Sequence, residues 1–225
     1  MKMNKGLFVI TMLATLFFTS CSEFNNIIKS GDYLYRYEAA KQYYADGKYT
    51  RAVVLLQDVI SVLKGTDKGE ESLYLLGISA YKARDYEAAA NFLKKYYETY
   101  TNGLYTQDAR FYNAMALYKN TPEPKLDQTE TYEAVTAFQN LLEIFPQSIY
   151  AKESQDMIFK LQDKLVEKEY LSAKTYFDLG SYFGNCNFGG NNYQACIITA
   201  ENAMRDYPYS KRREDFAIML LRVKY

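Results

Sequence analysis

Three cysteines, Cys21, Cys186 and Cys196, offer the most chemistry in this chain of 225 residues. A thiol can be acylated, oxidised to a disulfide or bound to a soft metal ion. A metal site at Cys186 and Cys196 would need two further soft ligands, and the chain contains no His to supply them. The lack of His also removes the commonest general base near neutral pH. No G-x-S-x-G, H-E-x-x-H or Walker A pattern occurs. Gly189-Gly190 follows Phe188 in a loop with no strand before it. The adjacent carboxylates Glu70 and Glu71 read as solvated charges at a helix start. No catalytic, cofactor-binding or metal-ligating residue is therefore assigned, and the chain is not expected to be an enzyme.

Cys21 stands apart because of what precedes it. Lys2 and Lys5 form a positive start, and Leu7 to Phe18 is an almost unbroken apolar run. The run is shorter than the roughly 20 residues needed to span a bilayer, which predicts a cleaved signal over residues 1–20. The sequence Phe18-Thr19-Ser20-Cys21 resembles a bacterial lipobox, with Phe18 where Leu is usual. That resemblance implies that the Cys21 thiol receives a diacylglycerol and that its freed amine is acylated as well. Each buried methylene contributes about 0.8 kcal/mol, so multiple chains would hold the protein permanently at a membrane. Ser22, rather than Asp, follows the cysteine, which by the same resemblance favours the outer membrane. Residues 21–31 then read as a tether. In an exported compartment Cys186 and Cys196, flanking one turn, are free to form a disulfide. The alternative is two buried small hydrophobes, since Cys196 sits at a small-residue packing position.

From Asp32 onward the chain alternates helical patterns with short breaks, and one pattern recurs. It runs Tyr49, Ala52, Leu56, Val59; then Tyr86, Ala89, Leu93, Tyr96; then Tyr132, Ala134, Phe138, Leu141, Pro146; then Tyr193, Cys196, Ala200, Ala203, Pro208. A small residue lets two helices approach closely, and apolar residues at +4 and +7 share one helix face. A proline afterwards stops the helix because it has no N–H to donate. With Leu76-Gly77 upstream of the second copy, the pattern resembles the tetratricopeptide repeat (TPR). The expected fold is all-α, a right-handed α-α superhelix of about five helix pairs over residues 32–225. It comprises four complete pairs and a last helix, Lys211 to Tyr225, covering the fourth. Asp46-Gly47-Lys48 and Ala83-Arg84-Asp85 read as tight turns within hairpins. Residues 119–131 and 184–192 read as insertions projecting from one edge. No polar outer cap closes the last helix, which suggests truncation or a covering partner.

Composition narrows the partners. Lys+Arg and Asp+Glu are equal at 27, which removes the field that draws phosphates and argues against nucleic acid. Tyr is abundant, at 24, and Trp is absent. Most of the tyrosines crowded at 33, 35, 37, 43 and 44, and at 96, 97, 100 and 105, are expected to pack between helices. The rest could line a groove for an extended peptide with an aromatic end.

A lipobox, TPR-like units, Phe145-Pro146-Gln147-Ser148 and Arg205-Asp206-Tyr207-Pro208 together resemble the BamD-type outer-membrane protein assembly lipoproteins, in a Bacteroides-like form. The resemblance implies a scaffold without catalysis or cofactor, lipid-anchored on the periplasmic face of the outer membrane. It implies binding to the POTRA domains of a BamA-like barrel protein through the C-terminal repeats, and reception of unfolded outer-membrane proteins by the N-terminal ones. Cys21 matches the lipidated cysteine. Arg205 matches the arginine before Asp-Tyr-Pro, on the side facing BamA. A second family arginine falls on Glu214, with Arg212 and Arg213 adjacent, and these three arginines are the candidate partner contacts. Other readings are another envelope TPR adaptor, for cell division or peptidoglycan coordination, and a glycan-binding uptake lipoprotein. The absence of Trp weighs against the last.

Overall fold

The computed structural model describes residues 23–180 and 191–225, and all regular structure among them is helical. Cys21 and Cys186 lie outside the described residues. The helices are α1 (Tyr33–Ala45), α2 (Tyr49–Val59), α3 (Asp67–Lys82), α4 (Tyr86–Thr99), α5 (Thr106–Asn120), α6 (Thr129–Ile144), α7 (Ala151–Leu179), α8 (Asn192–Asp206) and α9 (Arg213–Lys224). Helices α1 and α2, α3 and α4, and α7 and α8 pack as hairpins, and α9 packs on α8, as the recurring pattern predicts. No described helix is long and apolar enough to cross a membrane. The chain divides into two compact units at Asn113/Ala114, within α5.

In the first unit the repeat has a period of 37. Tyr49 and Tyr86, Ala52 and Ala89, and Leu56 and Leu93 are each 37 positions apart. All the aliphatic members of these pairs are fully buried. The core joins Tyr37, Ala40, Tyr43, Leu55, Leu56, Val59 and Leu76. Gly77 shows why a residue without a side chain is needed where α3 meets α4. A Cβ there would stand 2.6 Å from Leu93 Cγ and 3.2 Å from the Leu93 nitrogen.

The two hairpin turns repeat as well. Gly47 N–H bonds to Tyr44 O at 3.1 Å and Lys48 N–H to Tyr43 O at 2.8 Å. One period on, Arg84 N–H bonds to Tyr81 O at 3.1 Å and Asp85 N–H to Ala80 O at 3.0 Å. Both are Schellman closures, which need a left-handed residue just past the helix. Gly47 meets this at φ 74° and Arg84 at φ 66°. N-termini are capped in turn: Asp32 accepts from Leu34 N–H and Tyr35 N–H, Thr66 from Gly69 N–H, and Asp85 from Ala88 N–H.

Part of the segment read as a tether has structure. Residues 23–29 are helical, and Ile27 is buried in the first unit's core. Phe24 meets the Tyr43 ring edge-on at 5.6 Å, and Arg36 donates to Ile28 O.

In the second unit the small positions Ala134, Cys196, Ala200 and Ala203 are buried as expected. Cys196 is a buried free thiol, pushed up in pKa by that burial. Helix α7 has 29 residues, roughly 43 Å, and packs against α6, α8 and α9. Phe216 and Met219 of α9 join Val166, Ala173, Ala200 and Ala203 in one core. The insertion before α6 does not project freely. Gln128, buried, donates to Glu123 O at 2.8 Å and accepts from Thr131 Oγ1 at 2.8 Å. Lys164 of α7 donates to Thr121 Oγ1 at 2.5 Å, and Lys168 to Leu126 O at 3.1 Å.

Candidate protein-docking site

The three arginines singled out by the sequence lie at the junctions of α8 and α9, but they do different things. Arg212 is saturated within the chain. Its Nε and Nη2 donate to both Glu167 carboxylate oxygens, at 2.8 and 3.0 Å. Its Nη1 donates to Asp215 at 2.8 Å, and its guanidinium lies 4.3 Å from the centre of the Tyr170 ring. The two carboxylates hold it above its ordinary pKa. This fork-to-fork pairing with a stacked ring is geometry that lysine cannot copy. It clamps the start of α9 to the middle of α7.

Arg213 closes the end of α8, donating to Met204 O at 3.4 Å and Pro208 O at 3.3 Å. Arg205 is the most available of the three. Its side chain is 70% exposed, and among the described residues its ion pair is with the neighbouring Asp206, at 3.0 Å.

Two open hollows flank these residues. One, of about 350 Å³, lies between the C-terminal half of α7 and α9, among Tyr170, Lys174, Phe177, Asp215, Ile218 and Arg222. The other, of about 360 Å³, is lined by Phe159, Asp163, Val166, Tyr207, Pro208 and Tyr209. Phe159 and Tyr209 are exposed there, while burial raises the Tyr207 phenol well above its usual value, with Tyr132 adding to the shift. Ile218 and Leu221 of α9 are also exposed. Exposed apolar and aromatic groups, with the exposed Arg205 two positions before Tyr207, have the composition of a protein-binding surface. Among the described residues no group of three or more Cys, Asp or Glu side chains is placed to hold a metal ion.

The profile of the YfiO outer membrane lipoprotein family matches residues 32–225. The chain belongs to that family. A relative from Aquifex aeolicus, described as outer membrane protein assembly factor BamD, is 26% identical over 171 residues. The match covers 75% of this chain and 56% of that protein, so the chain spans little more than half its relative's length. Two solved structures of kinesin light chain TPR-like repeats from Podosopora anserina superpose with a TM-score of 0.45 each. They are 14% and 13% identical, covering 84% of this chain and 91% and 92% of theirs.

Within this YfiO-family chain the sequence alone missed the clamp around Arg212, because Glu167 and Tyr170 are more than forty positions away. The signal that could have found it is the spacing of Glu167 and Tyr170 on one helix face, i and i+3, opposite a helix that starts with Arg.

Proposed function

We propose that this chain is a non-enzymatic scaffold of β-barrel outer-membrane protein assembly. It is held at the periplasmic face of the outer membrane by acyl chains on Cys21. Its C-terminal unit docks on the POTRA region of a BamA-like barrel protein, and its N-terminal unit receives unfolded barrel proteins. The observation that carries the reading is the family match over residues 32–225. The exposed side chains Arg205, Ile218 and Leu221, on or near a clamped α9, give that match a physical surface. Affinity in such a surface comes from a few apolar and arginine anchors, with a polar rim around them.

Purification of the tagged chain from detergent-solubilised envelopes tests the partner. A large barrel protein with POTRA domains is the expected companion. Its absence, with cell-division or peptidoglycan enzymes recovered in its place, would favour a different envelope adaptor. Cys21→Ala tests the anchor: the variant is expected to keep its helical content and leave the membrane fraction.

A further inference from the structure

Arg36 of α1 and Arg110 of α5 stand at one position of the repeat, two periods of 37 apart, with Leu73 between them. Both guanidinium groups lie over a tyrosine ring. Arg36 is 5.4 Å from the centre of Tyr33 and Arg110 is 4.2 Å from that of Tyr97. Both Nε atoms are buried without a hydrogen-bond partner. The two arginines differ at their outer nitrogens.

Arg36 is satisfied within the chain. Its Nη1 donates to Asp58 Oδ2 at 3.2 Å, and its Nη2 donates to Ile28 O, a carbonyl near the end of the helical segment 23–29. Arg110 has no such acceptors. Among the described residues it makes no hydrogen bond and no ion pair, and of its nitrogens only Nε is shut off from solvent. The acid that serves Arg36 does not recur. The residue before the last apolar position of the repeat is Asp58 in the first copy, Lys95 in the second and Asn140 in the third.

The platform beneath Arg110 is fixed. Tyr97 donates to Asn113 Oδ1 at 3.4 Å, and the buried Asn113 donates to Ala90 O at 2.8 Å. These bonds tie α4 to α5 around the stacked pair. A guanidinium held flat on a ring keeps its in-plane N–H groups aimed along one edge, which is the geometry that takes a carboxylate. A half-buried charge with no counter-ion is costly, and a carboxylate relieves that cost.

We propose that Arg110 is a binding site for a side-chain carboxylate, the Asp or Glu of a polypeptide segment brought by a partner protein. The Arg36–Asp58 pair is the same contact made inside the chain. The inference concerns a cation of the first unit, so it stands or falls apart from the barrel-assembly reading.

The full chain in detergent micelles, with arginine labelled at Nε by nitrogen-15, tests it by magnetic resonance. Arg110→Lys and Arg36→Lys assign the two signals. If Arg110→Lys does not fold, contacts with the Tyr97 ring protons assign its signal in the unaltered chain. The probes are acetyl-Ala-Asp-Ala-amide, its Asn counterpart, and acetyl-Ala-Ala-Ala with a free C-terminus, all at one ionic strength. The aspartyl probe is expected to move the Arg110 signal saturably, with half-saturation on the order of millimolar, and to leave the Arg36 signal in place. The Asn probe is expected to move neither. An Arg110 signal unmoved by tens of millimolar aspartyl probe overturns the inference. So does an equal response to the Asn probe, or an equal shift at Arg36. A response to the free C-terminus alone overturns the assignment to a side-chain carboxylate.

Discussion

Tyr96 donates its phenolic hydrogen to the Glu70 carboxylate across 2.6 Å, although the two residues lie 26 positions apart. Glu70 also accepts from Leu104 N–H, and the Tyr96 hydroxyl accepts from Tyr105 N–H. One fully buried phenol thus ties α3 to the loop that follows α4. Burial, reinforced by Glu70, pushes the phenol far above its ordinary pKa and keeps it protonated as the donor. Gly103 is the companion requirement, since a Cβ there would stand 2.5 Å from Glu70 Oε1 and 2.6 Å from the Tyr96 hydroxyl.

Tyr96→Phe removes the shared hydroxyl and leaves Glu70 and Tyr105 N–H each short of a partner. A loss of about 2 kcal/mol is expected on that ground. Denaturant unfolding measures it, and faster hydrogen exchange at residues 101–106 locates it.

Tyr37 makes the matching lock on the other side of α3. It donates to Glu71, which also pairs with Lys41 at 2.9 Å, and Lys68 lies over its ring at 5.6 Å. Burial first, and the Glu71 bond second, raise the Tyr37 pKa from 10.0 to about 12. Lys41 is raised too, chiefly by Glu71. Both folded values lie above the unfolded ones. The stability they contribute is complete below pH 10 and is lost as pH rises towards about 12. Unfolding at fixed denaturant across pH 9 to 12 is expected to show a drop of roughly 2 kcal/mol, much reduced in Tyr37→Phe. For Glu71 burial opposes ionisation, but the bonds from Tyr37 and Lys41 outweigh it and lower its pKa. Its share is present above about pH 4.5 and fades as pH falls further.

Gly47 and Arg84 fill one role at two points of the repeat, and only the glycine does so without steric cost. Arg84→Gly is expected to stabilise by about 0.5–1 kcal/mol, and Gly47→Ala to destabilise by about 1 kcal/mol. No atom lies within 4 Å of a Cβ at Gly47, so backbone conformation alone carries the second change. Thermal and denaturant midpoints read both. Equal effects of opposite sign are not required, but a destabilising Arg84→Gly would contradict the equivalence.

Arg212 and Arg205 separate structure from docking. Arg212→Ala is expected to cost about 1 kcal/mol, the modest worth of a pair that is about a third exposed, and to speed hydrogen exchange in α9. Arg212→Lys is not expected to restore it. Arg205→Ala is expected to leave stability within about 0.5 kcal/mol and to weaken capture of the barrel partner. Loss of stability in the second, or none in the first, would reverse the assignments.

Much of this was legible because it is local or periodic. The buried positions Ala52, Ala89, Ala134 and Cys196 follow from spacing alone, as do the turns at Gly47 and Arg84. What escaped depends on contacts between distant residues. Glu70 and Glu71 read as one solvated pair, yet neighbours on a helix point about 100° apart. One therefore faces Tyr96 and the other Tyr37. The insertion before α6 read as projecting because nothing nearby announces that Lys164 and Lys168 will stitch it down. Arg212 read as a partner contact because Glu167, the carboxylate that takes both prongs of its fork, sits on another helix. Residues 23–29 read as tether because one buried Ile27 makes no pattern.

The clamped α9, with Arg205 just before it in the chain, is the surface proposed to face a barrel-assembly partner. A photo-reactive residue at Leu221, which is 60% exposed, tests it most directly in intact envelopes. Mass spectrometry of the cross-linked product should identify POTRA-domain peptides of a large barrel protein, with the adduct lost when the reporter is moved to buried Phe216. An adduct confined to other envelope proteins, or none from Leu221 while membrane association persists, would show that α9 does not face such a partner.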